Sequence, residues 1–423
     1  MTLSISLAHG TELVEFHFLR APKMLTVRDM TPQMDEERFG RRLTAYLNQE
    51  TLDLRGPAIV VADKTRLCGY PQYLPLLLDS LEMKGAEKDA ISIHIAYGTH
   101  ERQSDDECRR VYGPAYERCR WVHHCCDDAV GFVTLGKTRR GTPVRFRSDC
   151  LAASCIITFG AISHHYFAGY GGGRKLLFPG LGEKKAIYAN HGLFLDQKMR
   201  SLAPGCQPGV LDGNPLAEDL AEYEAFRPAD MAIHGILDSH GRVCDLLIGR
   251  GTGHFRKACA AHGAFCEMQV ADRFEGVLAS CGGFPKDINF IQSHKAIHNA
   301  AAFVRDGGWL IVLAQCRDGI GSRTFLPWFE MENRDAAFDQ LTASYVGNGG
   351  TALAMMAKLK RIRIGLVTSL APSIARRIGF ECLSASQVQK IVDAHEGALA
   401  IIPNASMLVN KSPASTSPDF GFE

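Results

Sequence analysis

Short apolar runs separated by longer stretches of helical spacing recur along the chain. "AIVVA" at 58–62, "ISIHIAY" at 91–97, "CIITFG" at 155–160 and "MAIHGIL" at 231–237 read as buried strands. "GVLASC" at 276–281, "WLIVLAQ" at 309–315 and "RIGLVTS" at 363–369 repeat the pattern further on. Such runs are almost continuously apolar rather than alternating, which fits strands covered on both faces. Between them, "YLPLLLDSLEMKGA" and "HKAIHNAAAFVRDGG" place apolar residues three and four apart, the helical period. Strands alternating with helices predict an α/β protein with mainly parallel sheets flanked by helices. The polar stretch "EMQVADRFEG" at 267–276 separates two such series. Residues 1–270 are therefore expected to form an N-terminal domain and 271–410 a C-terminal α/β domain. Residues 411–423, rich in Ser and Pro, are expected to be a mobile tail.

The ends of the first three strands carry chemistry. "AIVVA" runs into Asp63-Lys64-Thr65-Arg66, "ISIHIAY" into Gly98-Thr99-His100-Glu101, and "CIITFGAIS" into His164-His165 and the run "GGGRK". Open parallel sheets bind ligands beyond the carboxyl ends of their strands, so the three clusters are expected to line one crevice.

Composition narrows the function classes. Lys and Arg total 47 against 46 Asp and Glu, a net charge of +1, which leaves no field for nucleic acid or an acidic membrane surface. No apolar run has the length of a membrane span, and "MTLSISLAHGTELVEF" has no secretion-signal pattern. Fourteen cysteines are scattered through core-like segments without a CxxC pair, as in a reduced cytoplasmic protein.

Each cluster has an ordinary reading and a functional one. "GYGGGRK" is neither a GxxxxGK[ST] loop nor a GxGxxG fingerprint, so it reads either as a flexible loop or as an N–H nest around a phosphate or flat cofactor. In the second case Arg174 lies nearby, and Lys175 is a phosphate partner or a covalent anchor. His100, His164 and His165 are loop histidines or acid–base groups; their clustering at two strand ends favours the latter. Arg66 with Asp63 suits a fork gripping a carboxylate. Asp287 is expected to cap the helix after "GGFPKD", and on that helix Gln292 and Lys295 share a face. "VHHCCDD" at 122–128 is metal-rich but consecutive, unlike a tetrahedral site, and is read as a loop.

Taken together, "DKTR", "YGTHE", "HHYFAGYGGGRK", "ANHG", "LDGNP" and "GGFPKDINFIQSHKA" resemble the nickel-dependent lactate racemase family, in order from about residue 58 to 316. The resemblance implies two α/β domains with the active site between them. It implies a nickel-pincer nucleotide, a pyridinium mononucleotide bearing two sulfur groups, joined through a thioamide to Lys175. His191 falls where the family's histidine ligand to nickel stands. Thr99, Gly172, Gly173 and Arg174 fall around the nucleotide. The acid–base histidines are implied to be His100 and His165. The substrate contacts are implied to be Arg66, Asp63, Gln292 and Lys295. Maturation would need a carboxylase, a sulfur transferase and a nickel insertase. The implied reaction inverts C2 of a 2-hydroxy acid by hydride transfer. Gly171 stands where the family pattern has serine, and the pocket aromatic of the lactate enzymes has no clear counterpart. A larger acid, such as malate or a sugar acid, is therefore expected. The competing readings are a pyridoxal-phosphate-type enzyme using Lys175 and a non-catalytic nucleotide- or nickel-binding protein.

Overall fold

The strand Pro57–Ala62 is buried at every position, and its β-branched residues suit a ladder covered on both faces. Its proline stands first, where a missing N–H costs the ladder least. In a computed structural model, which describes residues 3–28, 30–31, 34–128 and 130–411, this strand lies inside a six-stranded sheet. The order is Val243–Gly249, Met231–Leu237, Cys155–Ala161, Pro57–Ala62, Ser92–Ala96, Arg120–His123. All neighbours are parallel except the first pair. Helices Glu36–Gln49 and Tyr70–Met83 bury Phe39, Leu43, Leu74, Leu77, Leu78 and Leu81 in the core of this sheet.

A second six-stranded sheet is wholly parallel, in the order Glu381–Cys382, Arg363–Val367, Val304–Leu313, Phe274–Ser280, Leu399–Ile402, Lys23–Met24. An antiparallel hairpin, Leu3–His9 with Glu12–Phe18, adds Leu7, Phe16 and Phe18 to its core. The strand-and-helix pattern predicted from sequence is therefore the observed one.

The division into units differs from a single cut after residue 270. One unit comprises Asp29–Leu193 and Gly205–Phe265, and the other Met1–Arg28, Phe194–Pro204 and Cys266–Glu423. The N-terminal segment joins the later unit because Lys23–Met24 pairs with Leu399–Ile402, far away in sequence. The expected mobile tail, from 412 onward, lies outside the described residues. All fourteen cysteines are free. Among the described residues no helix is long and apolar enough to cross a membrane.

Candidate active site

Cys155–Ala161, Pro57–Ala62 and Ser92–Ala96 are adjacent and parallel, so their three polar clusters emerge at one end of one sheet. Strands about 4.8 Å apart place the outer two exits roughly 10 Å from each other, with Asp63 leaving between them. The three clusters thus belong to one unit.

Asp63 is buried to 2% exposure. Its Oδ2 accepts from Nδ1 of His100 at 2.6 Å, and its Oδ1 accepts from the backbone N–H and hydroxyl of Thr65 at 2.9 and 2.6 Å. Burial pushes the Asp63 carboxyl up. The His100 hydrogen bond and charge, then Arg66 and Thr65, outweigh it and hold the group down at about 2. An ionised carboxylate on Nδ1 fixes the His100 proton there and leaves Nε2 to accept another. Arg66 is exposed, and among the described residues no carboxylate lies within salt-bridge distance of it.

The second histidine sits on a small hairpin. Ser163–His165 pairs antiparallel with Gly169–Gly171, and His165 lies opposite Gly169. From there the chain enters a tight turn, Gly173–Leu176, which carries Lys175. Gly172 and Gly173 have φ of +78° and +53°, favouring glycine. A Cβ on Gly172 would strike the Ala161 carbonyl, and one on Gly173 would come within 2.5 Å of the Phe255 ring. The protein's own packing therefore requires these glycines.

Arg174 is 6% exposed and lies over Phe255, 4.9 Å from the ring centroid. The Gly98 N–H donates to the Gly180 carbonyl at 2.8 Å, fastening the loop of Thr99 and His100 to the glycine block.

His191 ends the helix Lys184–Gly192. Burial, and next the charge of Lys175, push its imidazole down to about 3. A neutral imidazole close enough to feel a lysine amine is a donor set that suits a lysine-tethered cofactor with a metal such as nickel(II). The helix is anchored from within: Asn190, just before His191, donates to Asp219 at 2.8 Å, and both are fully buried.

Several assignments resolve differently. Asn289, not Asp287, caps the helix Phe290–Ala301, accepting from the Gln292 N–H. Asp287 instead accepts from the backbone N–H groups of Gly10 at 2.7 Å and Gln315 at 3.2 Å. Gln292 and Lys295 do share a face of that helix, in the second unit, and Lys295 donates to Gln292 at 2.7 Å. In "VHHCCDD" the first residues belong to the strand Arg120–His123, His123 meets the Tyr97 hydroxyl at 2.9 Å, and buried His124 meets the Gly182 carbonyl at 3.1 Å. Asn214 lies within "LDGNP". Its Oδ1 caps the helix Pro215–Phe226 while its Nδ2 donates to the Phe167 carbonyl at 2.8 Å, beside His165. The Asn-Pro pair is a legible helix start; the tie to the histidine hairpin is not.

The model of the lactate racemase N-terminal domain matches residues 44–202, and that of the lactate racemase C-terminal domain matches 270–348. A lactate racemase from Thermoanaerobacterium thermosaccharolyticum is 29% identical over 66% of this chain, and the match spans 63% of that relative's length. One from Lactiplantibacillus plantarum is 28% identical over 70% of this chain and 75% of its own. The fold is that of the lactate racemase apoprotein from T. thermosaccharolyticum (TM-score 0.85, 22% identity, covering 97% of this chain and all of that one). A protein from Thermotoga maritima shares it more distantly, with a TM-score of 0.68 and 15% identity over 90% of this chain and all of that one.

Proposed function

The chain belongs to the lactate racemase family, and on that premise we propose that it is a racemase or epimerase inverting C2 of a 2-hydroxy acid. The observation that carries the reading is the pairing of buried Asp63 with exposed His100, beside the His165 hairpin at three adjacent strand ends. Binding alone does not require proton-handling groups so arranged.

The C–H next to a carboxylate is poorly acidic, so direct deprotonation is difficult. Loss of the hydroxyl proton together with hydride from C2 gives a planar 2-keto acid, and hydride returned to the opposite face inverts the centre. Arg66 offers its guanidinium to the carboxylate, and Asp63 steadies the same loop. His100 and His165 serve the hydroxyl proton, each contributing about 10²–10⁴-fold. Lys175 would tether the nickel-pincer nucleotide and His191 would ligate its nickel, with Thr99, Gly172, Gly173 and Arg174 around the nucleotide. When bound, that group supplies the hydride acceptor and donor.

The substrate is larger than lactate, such as malate or a sugar acid. Trp328, which does not align with the pocket aromatic of the lactate enzymes, is 6% exposed, and a Cβ on Gly349 would lie 2.8 Å from its ring. That packing supports a core role for Trp328. The test is to co-express the chain with a carboxylase, a sulfur transferase and a nickel insertase of the cofactor pathway. Enantiopure 2-hydroxy acids are then screened by chiral chromatography, and adduct mass is mapped to peptides. Inversion of at least one acid, with the adduct on Lys175, is expected. An adduct of pyridoxal phosphate mass, or no inversion by adduct-bearing protein, would overturn the reading.

A further inference from the structure

His165, Lys175 and His191 lie on three separate segments, and one helix, Pro215–Phe226, touches all three. At its start Asn214 donates to the Phe167 carbonyl at 2.8 Å, just after His165. Further along, Asp219 accepts at 2.8 Å from Asn190, the residue before His191. One turn later the Tyr223 ring lies nearly parallel to that of Phe178, with centroids 3.8 Å apart, just past the turn Gly173–Leu176 that carries Lys175. Asp219 and Tyr223 stand at i and i+4 and so share a face of the helix.

Asp219 is the unusual member of this set. It is fully buried, and so are its partners Asn190 and Thr142. Its Oδ2 takes both donors, the Asn190 amide at 2.8 Å and the Thr142 hydroxyl at 2.7 Å. Its Oδ1 and the Oδ1 of Asn190 are enclosed and accept no hydrogen bond among the described residues. Each such oxygen is a net cost to the fold, and apolar side chains of the same shape would pack the two helices without it. What the polar contact adds is direction. Two hydrogen bonds meeting on one oxygen fix the Asn190 side chain, and with it the last turn of Lys184–Gly192, where a helix otherwise frays. Thr142 is itself held, because its N–H donates to Oγ1 of Thr138 at 3.1 Å in the turn between the strands Phe132–Lys137 and Pro143–Arg147. Arg140 and Arg139 of that turn pair with Glu218 and Glu222 of the helix at 2.6 and 2.8 Å.

We propose that Asp219 is a positioning residue for His191: through Asn190 it sets where that imidazole stands, and the helix bearing Asp219 holds the His165, Lys175 and His191 segments in one register. The inference rests on the reading of His191 as the nickel ligand and concerns how that ligand is aimed. Asp219 acts only through Asn190, and the acid–base work of His100 and His165 does not involve it. Hydrogen-bond partners one layer behind a metal ligand typically carry about 10- to 100-fold of the metal affinity.

The test compares three variants of the full chain. Asp219→Ala removes the acceptor, and Asp219→Asn keeps one oxygen for both donors. Phe39→Leu, in the core of the first sheet, lowers stability without touching the network. The first readout uses the chain without cofactor: 1H–15N correlations of the His191 ring, assigned with His191→Gln. These are expected to shift or split in Asp219→Ala and to match wild type in the other two. The second uses cofactor-loaded protein and follows nickel loss to excess EDTA by plasma mass spectrometry. Loss is expected to be about tenfold faster in Asp219→Ala and within about twofold of wild type in Asp219→Asn and Phe39→Leu. Urea unfolding midpoints establish that folded proteins are compared. If Asp219→Ala does not fold, Thr142→Val, which lacks only the hydroxyl donor, replaces it, with loss about threefold faster or more. Unchanged His191 signals, nickel retained as in wild type, loss from Asp219→Asn as fast as from Asp219→Ala, or the same acceleration in Phe39→Leu each overturn the proposal. If wild-type protein takes up no nickel, or His191→Ala holds it as firmly, the ligand assignment fails instead, and the cofactor-free spectra decide whether Asp219 positions the ring.

Discussion

Replacing Asp63 by Asn probes the site most sharply, because one carboxylate fixes both a stability contribution and a proton. Its pKa is held at about 2 against an ordinary 3.8, in a residue 2% exposed. At about 1.36 kcal/mol per pH unit, that difference corresponds to about 2 kcal/mol of native-state stability. The sign follows from a depressed carboxylate. The contribution is complete above pH 3.8 and is lost as the pH falls through about 2. Asp63→Asn should therefore lower the urea-unfolding free energy by about 2 kcal/mol at pH 7, and the gap to wild type should close between about pH 4 and 2. The catalytic effect is larger. An amide can turn its NH2 toward Nδ1 of His100 and stabilise the tautomer with a protonated Nε2, which cannot accept the hydroxyl proton. Turnover in cofactor-loaded enzyme should fall by about 10²–10⁴-fold, read by chiral chromatography at saturating substrate. A variant within about threefold of wild-type turnover would refute the assignment of His100 as an Asp63-backed base.

Other outcomes follow from the same geometry. His191→Ala should lower nickel content measured by plasma mass spectrometry, whereas His100→Ala should keep the metal and lose activity; equal nickel in His191→Ala would remove it as the ligand. Substrate deuterated at C2 and run in ordinary water should give inverted product that keeps its deuterium, because hydrogen carried as hydride exchanges little with solvent; extensive washout would point to a carbanion route. Lys358 is fully buried, with its amine donating to the Ala354 carbonyl at 2.7 Å and 3.4 Å from Nε2 of His294. Burial, then the charge of Arg361, push its amine well below the ordinary lysine range. A base depressed in the folded state binds more protons when unfolded, so its cost shrinks as pH rises toward the unfolded lysine value. Lys358→Met should raise the thermal midpoint at pH 7 and flatten its rise between pH 7 and 10; a lower midpoint with an unchanged slope would contradict this.

Local periodicity was enough to locate the main strands and to show that His100, Asp63 and His165 stand just beyond strand ends. A buried parallel strand is written as a continuous apolar run, and the polar residues after it necessarily fall on the sheet's carboxyl edge. The sequence motifs also carried the family, because the block from His164 to Lys175 joins rare residue types at fixed spacing. What escaped the sequence depends on partners far along the chain. The Leu3–His9 and Glu12–Phe18 hairpin has a mixed burial pattern, and only its packing on the later sheet reveals its place. Asp287 and Asn289 are equally good caps by type; the approach of Gly10 and Gln315 draws Asp287 away and leaves the helix to Asn289. Gly172 and Gly173 announce a tight backbone, but the atoms that demand it belong to Ala161 and Phe255. Histidine is the same residue at 100 and at 165 in the sequence. Which ring nitrogen of His100 holds the proton is settled by a carboxylate from one strand, and where His165 stands by a turn held by Asn214. Hydrogen bonds of that kind exist only once the chain has folded, so the sequence names the groups and the tertiary structure sets their positions and protons.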